Sequence, residues 1–306
     1  MLTYDEALAR VLSFAEPLPT ESVSLMLAHG RALAADIVAA ENLPPFDNSA
    51  VDGYAVRYED TLSANDGSNV TLSVRGGFIQ LAGEPPGAPI TPGSRAAVSV
   101  MTGGTIPPGA DAIVMIEDTV RGDFDYLYLK TPASPRFIRR AGSDVAAGQT
   151  VLRAGDTVNA GAVGLLASLG MTKVSCHALP CVGILSTGNE LVPMETRRLP
   201  PAKIRDSNRH ALAVATESAS GIIEASLYAP DDRDAIRNAL LSLSGCDVIV
   251  SSGGVSVGSA DFVKEIVEEI GTLDFWRIAI KPGKPLAFGR IGNALFFGLP
   301  GNPASS

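Results

Sequence analysis

Ser251-Ser252-Gly253-Gly254-Val255-Ser256-Val257-Gly258-Ser259-Ala260-Asp261 joins an apolar run at 247–252 to an amphipathic segment at about 261–270. Strand, glycine-rich turn and helix start, in that order, read as an α/β unit whose ligand site lies beyond the carboxyl end of a strand. Glycine lets the backbone turn sharply and approach a ligand, while turn N–H groups and a helix N-terminus converge on negative charge. Ser252, Gly253, Gly254, Ser256 and Gly258 are therefore candidate phosphate-binding positions. Asp261 does not suit a bare phosphate loop, because a carboxylate there repels phosphate. It does suit a divalent cation bridging phosphate oxygens. The competing reading is an ordinary strand-to-helix turn in which Ser259 or Asp261 caps the helix.

The text on either side repeats the strand–helix rhythm. Residues 181–186 read as a buried strand, Ser207 as the cap of a helix ending at Gly221, and 222–228 as a second strand. Asp231 and Asp232 precede a helix through Leu243, and 247–252 is the third strand. After the helix at 261–270, strands are expected at 273–280, 286–288 and 294–297. Such alternation predicts a mostly parallel, doubly wound sheet with right-handed crossovers and helices on both faces.

Upstream the character changes. Thr3 and Glu6 have capping-box spacing before the apolar Ala7, Leu8, Val11 and Leu12, so a helix runs to about Phe14. Short β-type runs at 70–74, 96–101, 112–116 and 126–130 alternate with Gly/Pro-rich turns and predict a small β domain. Residues 156–170 read as a helix expected to rejoin the N-terminal one. The expected organisation is α/β plus β: a helical linking domain of 1–50 with 147–176, a β-rich insertion at 51–146, and an α/β domain at 177–306.

Composition narrows the function. At 306 residues with net charge −9, the chain is poorly suited to general nucleic-acid binding, which depends on neutralising phosphates. No apolar stretch has the length of a membrane span, and the N-terminus lacks a basic-then-apolar secretion signal. A cytoplasmic location is the expectation. The three cysteines form no CxxC pair and the three histidines are scattered, which argues against zinc and against a disulfide framework.

Three loops follow strands of the same predicted sheet. Ser186-Thr187-Gly188-Asn189-Glu190 offers a hydroxyl (Thr187), a close backbone approach (Gly188) and a carboxylate (Glu190), although an ordinary turn and cap would look the same. The second loop is the 251–261 run. In the third, Arg277-Ile278-Ala279-Ile280-Lys281-Pro282-Gly283-Lys284-Pro285, two prolines stiffen a turn bearing Lys281 and Lys284; its plain alternative is a surface turn with solvated lysines. Carboxylates at Glu190, Asp231 and Asp261 with cations at Arg277, Lys281 and Lys284 suit a phosphorylated ligand plus Mg²⁺. No Gly-Lys-Ser/Thr is present, so this is not a Walker loop. A further polar cluster at 44–55 reads, on its residues alone, as a rigid hinge loop.

At these motifs the chain resembles the molybdopterin molybdenumtransferases, the MoeA-type proteins and the related catalytic half of gephyrin. The resemblance runs through Phe46-Asp47-Asn48-Ser49-Ala50-Val51-Asp52-Gly53-Tyr54-Ala55, Met101-Thr102-Gly103, Ser186 to Glu190, Ser251 to Asp261, Lys281 to Pro285, and Gly298-Leu299-Pro300-Gly301-Asn302-Pro303. It implies insertion of molybdate into adenylylated molybdopterin, with a divalent metal and release of AMP. It also implies a homodimer with the cleft shared between subunits, and a place between a molybdopterin adenylyltransferase and apo-molybdoenzymes.

Residue by residue, the resemblance implies metal or substrate binding for Asp261, Glu190 and Asp231, and phosphate or molybdate contact for Lys281, Arg277 and Lys284. It implies that Asp52, Thr102 and Asp144 reach the cleft from the partner subunit. Arg277 stands where the family pattern has Lys, which exchanges a compact ammonium for a planar fork. The resemblance also implies a further C-terminal β domain beyond residue 306. The alternatives are a non-catalytic pterin- or nucleotide-phosphate-binding module, which would share the glycine loop but lack the 48–54 segment and the β insertion, and a gephyrin-like scaffold.

Overall fold

The computed structural model describes residues 1–64, 70–254, 262–281 and 283–305. Two compact units divide the chain: Met1–Val23 with Ala28–Ala34 and Ser175–Ser306, and Ser24–Leu27 with Ala35–Val174. The first helix, α1 (Tyr4–Ser13), begins with the expected reciprocal cap: Glu6 N–H donates to Thr3 Oγ1, and Thr3 N–H donates to Glu6 Oε2 at 2.8 Å. Its inward stripe of Ala7, Val11 and Phe14 packs on Phe275, Ile278 and Phe288 of the same unit. Those aromatic partners, remote in sequence, give α1 its cover. The helix at 160–168, expected to join α1, falls in the other unit.

That second unit is built on a six-stranded sheet. Its strands are β1 (Gly53–Val56), β2 (Val70–Gln80), β3 (Ala96–Val100), β4 (Ala112–Met115), β5 (Thr119–Arg121) and β6 (Tyr126–Leu129), in the order β4-β1-β3-β2-β6-β5. All pairings are antiparallel except β2 with β3. Leu72, Val114, Leu127 and Leu129 form its core with Val56 and Ala97. The four runs read from the sequence are all strands. Strand β1 was hidden inside what reads as a polar hinge, because four residues flanked by Asp52 and Arg57 carry too little alternation to stand out. Helix α2 (Ala160–Ser168) starts where Asn159 Oδ1 accepts the Ala162 N–H, and Leu165 and Leu169 close over Ala39 and Val145.

The first unit carries the α/β sheet. Its strands are β7 (Cys181–Thr187), β8 (Ile222–Ala229), β9 (Val248–Ser252), β10 (Thr272–Arg277), β11 (Pro285–Ile291) and β12 (Ala294–Leu299), ordered β8-β7-β9-β12-β11-β10. Strands β8, β7, β9 and β12 are mutually parallel, while β11 and β10 complete the sheet as antiparallel neighbours. Only Gly292 and Asn293 lie between β11 and β12, and a two-residue connection can join strands only antiparallel.

Helices α3 (Asn208–Ser218), α4 (Arg233–Ser242) and α5 (Phe262–Ile270) fill the crossovers. Alternating side chains show both faces covered: Ala287 and Phe296 enter the cluster with Ile236, Leu240, Val263 and Ile266, whereas Phe288, Leu295 and Phe297 meet α1. One detail at α3 departs from expectation. Ser207 occupies the N-cap position without a side-chain cap bond, and Asp206 Oδ1 instead accepts the Arg209 N–H at 3.2 Å. The backbone of Ser207 is already helical, so its hydroxyl is aimed away from the free N–H groups.

Phe288 is fully buried, with ring centroids of Phe14, Phe275 and Phe297 at 5.4, 5.4 and 5.1 Å. Phe288→Ala should therefore cost about 3–5 kcal/mol, read as a lowered urea midpoint for the first unit's unfolding.

Candidate functional site

Strand register sets the site. Ser186 of β7 is paired with Tyr228 of β8 and with Ser252 of β9, and Ser252 is paired with Leu299 of β12. One row of residues thus crosses four parallel strands at their carboxyl ends, and the loops after each begin at one level. Strand β10 points the same way as β12, being antiparallel to an antiparallel neighbour, so Arg277 at its end belongs to the same edge. The turn bearing Lys281 and Lys284 follows it.

Behind this row lies a buried polar network. Ser186 Oγ donates to Asp206 Oδ2 at 2.5 Å, and Arg209 Nε lies 2.9 Å from the same oxygen. Asn208 Nδ2 donates to Ser252 Oγ at 2.7 Å and to the Gly301 carbonyl at 3.0 Å, tying the end of β9 to the loop after β12. Asp206 and Asn208 are 3% and 9% exposed, so these bonds are made away from water, where leaving either group unpaired would cost about 1–3 kcal/mol. A cavity of about 30 Å³ opens in front of them, lined by Ser186, Thr187, Glu190, Asn208, Ser252 and Gly301 among others. That is room for one or two water-sized groups, such as oxyanion oxygens.

The 187–190 loop is folded tightly. Gly188 has φ +150°, and a Cβ there would lie 2.6 and 2.7 Å from the Glu190 carboxylate oxygens, which fold back over it. Asn189 and Asp231 bond reciprocally: Asn189 N–H donates to Asp231 Oδ2 at 2.9 Å, and Asp231 N–H donates to Asn189 Oδ1 at 3.2 Å. Lys203 Nζ donates to the Asn189 carbonyl. Across the cavity, Gly253 at φ +92° brings its backbone so close to Thr187 that a Cβ would sit 2.4 Å from the Thr187 carbonyl. Thr187 Oγ1 and Ser251 Oγ are buried and have no hydrogen-bond partner among the described residues.

Thr187, Gly188, Glu190, Asp231, Ser252, Gly253 and Gly254 are therefore brought to one edge of the sheet, with Arg277, Lys281 and Lys284 on the same edge. No side-chain hydrogen bond or ion pair within the described residues engages these three cations. Ser256, Gly258 and Asp261 lie outside the described residues. In the second unit, Thr102 donates from both its N–H and its Oγ1 to Asp52 Oδ1, at 2.7 and 2.8 Å, and Asp144 pairs with Arg139. Among the described residues no group of three or more His, Cys, Asp or Glu is arranged to hold a metal ion. The donor chemistry still fits a magnesium–phosphate complex, which takes one or two carboxylates and fills its remaining positions with water and phosphate oxygens.

Sequence reading missed Asp206 and Asn208 as members of the site. Their signal was present in the polar triplet Asp206-Ser207-Asn208 at a helix start, but a cap accounts for that pattern equally well. Among the described residues no helix is long and apolar enough to cross a membrane.

Fold and site together define an α/β protein that gathers loops rich in glycine, hydroxyls and charge at the carboxyl edge of its sheet, with a separate β-rich unit. Residues 2–170 match the family described as MoeA N-terminal region (domain I and II), and residues 183–306 match the probable molybdopterin binding domain. The chain is 41% identical to the molybdopterin molybdenumtransferase of Haemophilus influenzae, over 100% of its own length and 74% of that protein. It is 33% identical to gephyrin of Dictyostelium discoideum, over 100% of its length and 48% of that protein. A crystal structure of the molybdopterin biosynthesis MoeA protein from Pyrococcus horikoshii OT3 superposes with a TM-score of 0.81 at 33% identity, covering 100% of this chain and 75% of that one. The chain belongs to the MoeA family.

The two Thr102 hydrogen bonds hold the Asp52 carboxyl below its ordinary value, the backbone bond contributing most and the hydroxyl next. A depressed carboxyl stabilises the fold above the unfolded value of about 3.9, and the contribution is lost as pH falls through the lower folded value. Thr102→Val removes only the hydroxyl bond. Carboxyl-carbon NMR titration should then show the Asp52 pKa rising toward the ordinary value without reaching it.

Proposed function

We propose that this chain binds adenylylated molybdopterin and inserts molybdate into it, with release of AMP, assisted by a divalent metal. The observation that supports this reading is the single row from Tyr228 to Leu299, after which Glu190, Asp231, Gly253 and Gly254 follow on the edge that also bears Arg277, Lys281 and Lys284. A phosphoanhydride and a molybdate are both anions. Cations without side-chain partners among the described residues, on the same sheet edge as small hydroxyls and glycine backbone, suit both.

In this reading the residues divide the work by charge. Lys281 and Lys284 neutralise anhydride oxygens as point charges, and Arg277 offers a planar fork to a phosphate or molybdate. Thr187 donates its buried hydroxyl, which has no partner among the described residues, and Gly253 and Gly254 let the backbone approach a phosphate oxygen. Glu190, Asp231 and Asp261 would hold Mg²⁺, which draws charge from the phosphate oxygens. Attack of water on the anhydride phosphorus frees AMP and leaves the pterin phosphate, and the two dithiolene thiols form Mo–S bonds by displacing one molybdate oxygen, which leaves as water with their two protons. Asp52, Thr102 and Asp144 are assigned to the same cleft in a homodimer, where each is supplied by the other subunit. A molybdopterin adenylyltransferase would supply the substrate and apo-molybdoenzymes would take the product.

With adenylylated molybdopterin, Mg²⁺ and molybdate, substrate binding and AMP release are to be read separately. Glu190→Gln and Asp261→Asn should each lower AMP release by at least about a hundredfold, the scale of losing one transition-state charge contact, with the fold intact by circular dichroism. Lys281→Ala should weaken substrate binding about tenfold, roughly the discrimination of one charge-assisted bond. Undiminished AMP release by Asp261→Asn would remove the metal role. For the shared cleft, mixed dimers of Asp52→Ala and Glu190→Gln chains should recover AMP release that neither variant shows alone; no recovery would place both residues in one subunit's site.

A further inference from the structure

Next to the small polar cavity is a second pocket, of about 220 Å³, lined by Leu191, Val192, Pro193, Asp206, Arg209 and Tyr228. It shares Leu191 and Asp206 with the first. Its size is below the ~300 Å³ at which pockets begin to hold a whole drug-sized ligand, so it has room for one ring system and not for a complete nucleotide. Its walls differ from those of its neighbour. Leu191, Val192 and Pro193 supply apolar surface, and Tyr228 supplies an aromatic ring.

Tyr228 is held in place although it is 44% exposed. Its hydroxyl donates to the Gly188 carbonyl at 3.2 Å, and its residue is paired with Ser186 in the row that defines the site. Ala225, Leu227 and Ala229 point into the core under α4, so Tyr228 projects from the opposite sheet face, the face on which Ser186 and Ser252 meet α3. Burial, then Asp231, Glu190 and Asp206, push the phenol above its ordinary value, which keeps it neutral and a hydrogen-bond donor. Arg209 also lines the pocket; its Nε is ion-paired with Asp206 at 2.9 Å and its Nη1 donates to the Ser226 carbonyl at 3.3 Å. A fixed guanidinium and an aromatic ring beside apolar walls are surfaces on which a flat heterocycle stacks.

We propose that this pocket is the subsite for one flat nitrogen heterocycle of the substrate, with Tyr228 as its stacking wall and the adjoining loops holding the attached phosphate. The inference rests on the functional reading above and adds which part of the molecule sits where. The heterocycle has two possible sources, the adenine of the AMP half and the pterin of the other half. Their shared chemistry is a flat fused ring joined through a short linker to a phosphate.

Isothermal titration of wild type, Tyr228→Ala and Tyr228→Phe with AMP, with a phosphorylated pterin and with inorganic pyrophosphate tests it. Tyr228→Ala should lose about tenfold in affinity for one of the two ring ligands, on the scale of an aromatic base platform, and the ligand affected identifies the ring. Tyr228→Phe, which keeps the ring but drops the bond to Gly188, should stay within about twofold of wild type, since the face that stacks is unchanged. Pyrophosphate affinity should be the same in all three proteins. A loss for pyrophosphate equal to that for the ring ligands would mean that Tyr228 only props the Gly188 loop, and would overturn the subsite. So would unchanged affinity for both ring ligands in Tyr228→Ala, or wild type binding ring ligands no more tightly than pyrophosphate. Wild type binding none of the three would overturn the functional reading, and the subsite with it.

Discussion

Backbone pairing of Tyr228, Ser186, Ser252 and Leu299 in one row is the constraint on which the site depends. Parallel strands in register end at a common level, so the loops that follow them must open side by side. A slip of one residue in β7 would move Ser186 and Thr187 to each other's faces. Ser186 would then lose Asp206, and Thr187 would leave the Gly253 backbone it abuts. The chemistry of the edge is therefore fixed first by sheet hydrogen bonds and only afterwards by side chains.

The polar network behind the row converts that level into a rigid frame. Asn208 ties Ser252 to Gly301, and Asp206 ties Ser186 to Arg209, so the start of α3 is bonded to three separate strand ends. Burying these groups is unfavourable unless each finds its partner, and here they do. Among the described residues Thr187 Oγ1 and Ser251 Oγ are buried hydroxyls without partners, and Arg209 Nε faces Asp206 as an ion pair without a hydrogen bond. A ligand oxygen is the natural partner for such a hydroxyl in a cavity lined by glycine backbone, which is why the first of them stands in the proposed phosphate contact set. In the proposed reading the two adjoining pockets divide one ligand by polarity: oxyanion at the loops, ring against Tyr228.

Much of this was legible from local signals. The capping box at Thr3 and Glu6, the β runs of the second unit and the strand–helix alternation after residue 180 all depend on neighbours a few residues away, and each appears close to where it was expected. The loops at 187–190, 253–254 and 277–284 were legible as candidates because glycine, carboxylate and paired lysines in a turn after a strand carry meaning wherever they occur. Strand β1 was not, since four residues in a polar setting have no period to detect. The capping role of Asp206 in place of Ser207 was not either, because the choice depends on the backbone angles of one residue.

By itself, then, the sequence determined the kinds of element, the candidate loops and the family resemblance, since these are written in local periodicity and residue chemistry. Tertiary structure decided which loops share an edge, that α1 finds its cover in Phe275 and Phe288, that Asp206 and Asn208 stand behind the loops, and that Tyr228 faces the cavity beside them. Register and face are relations between residues tens of positions apart. They are set by which strands pair and which apolar surfaces cover one another, and no local pattern encodes that choice.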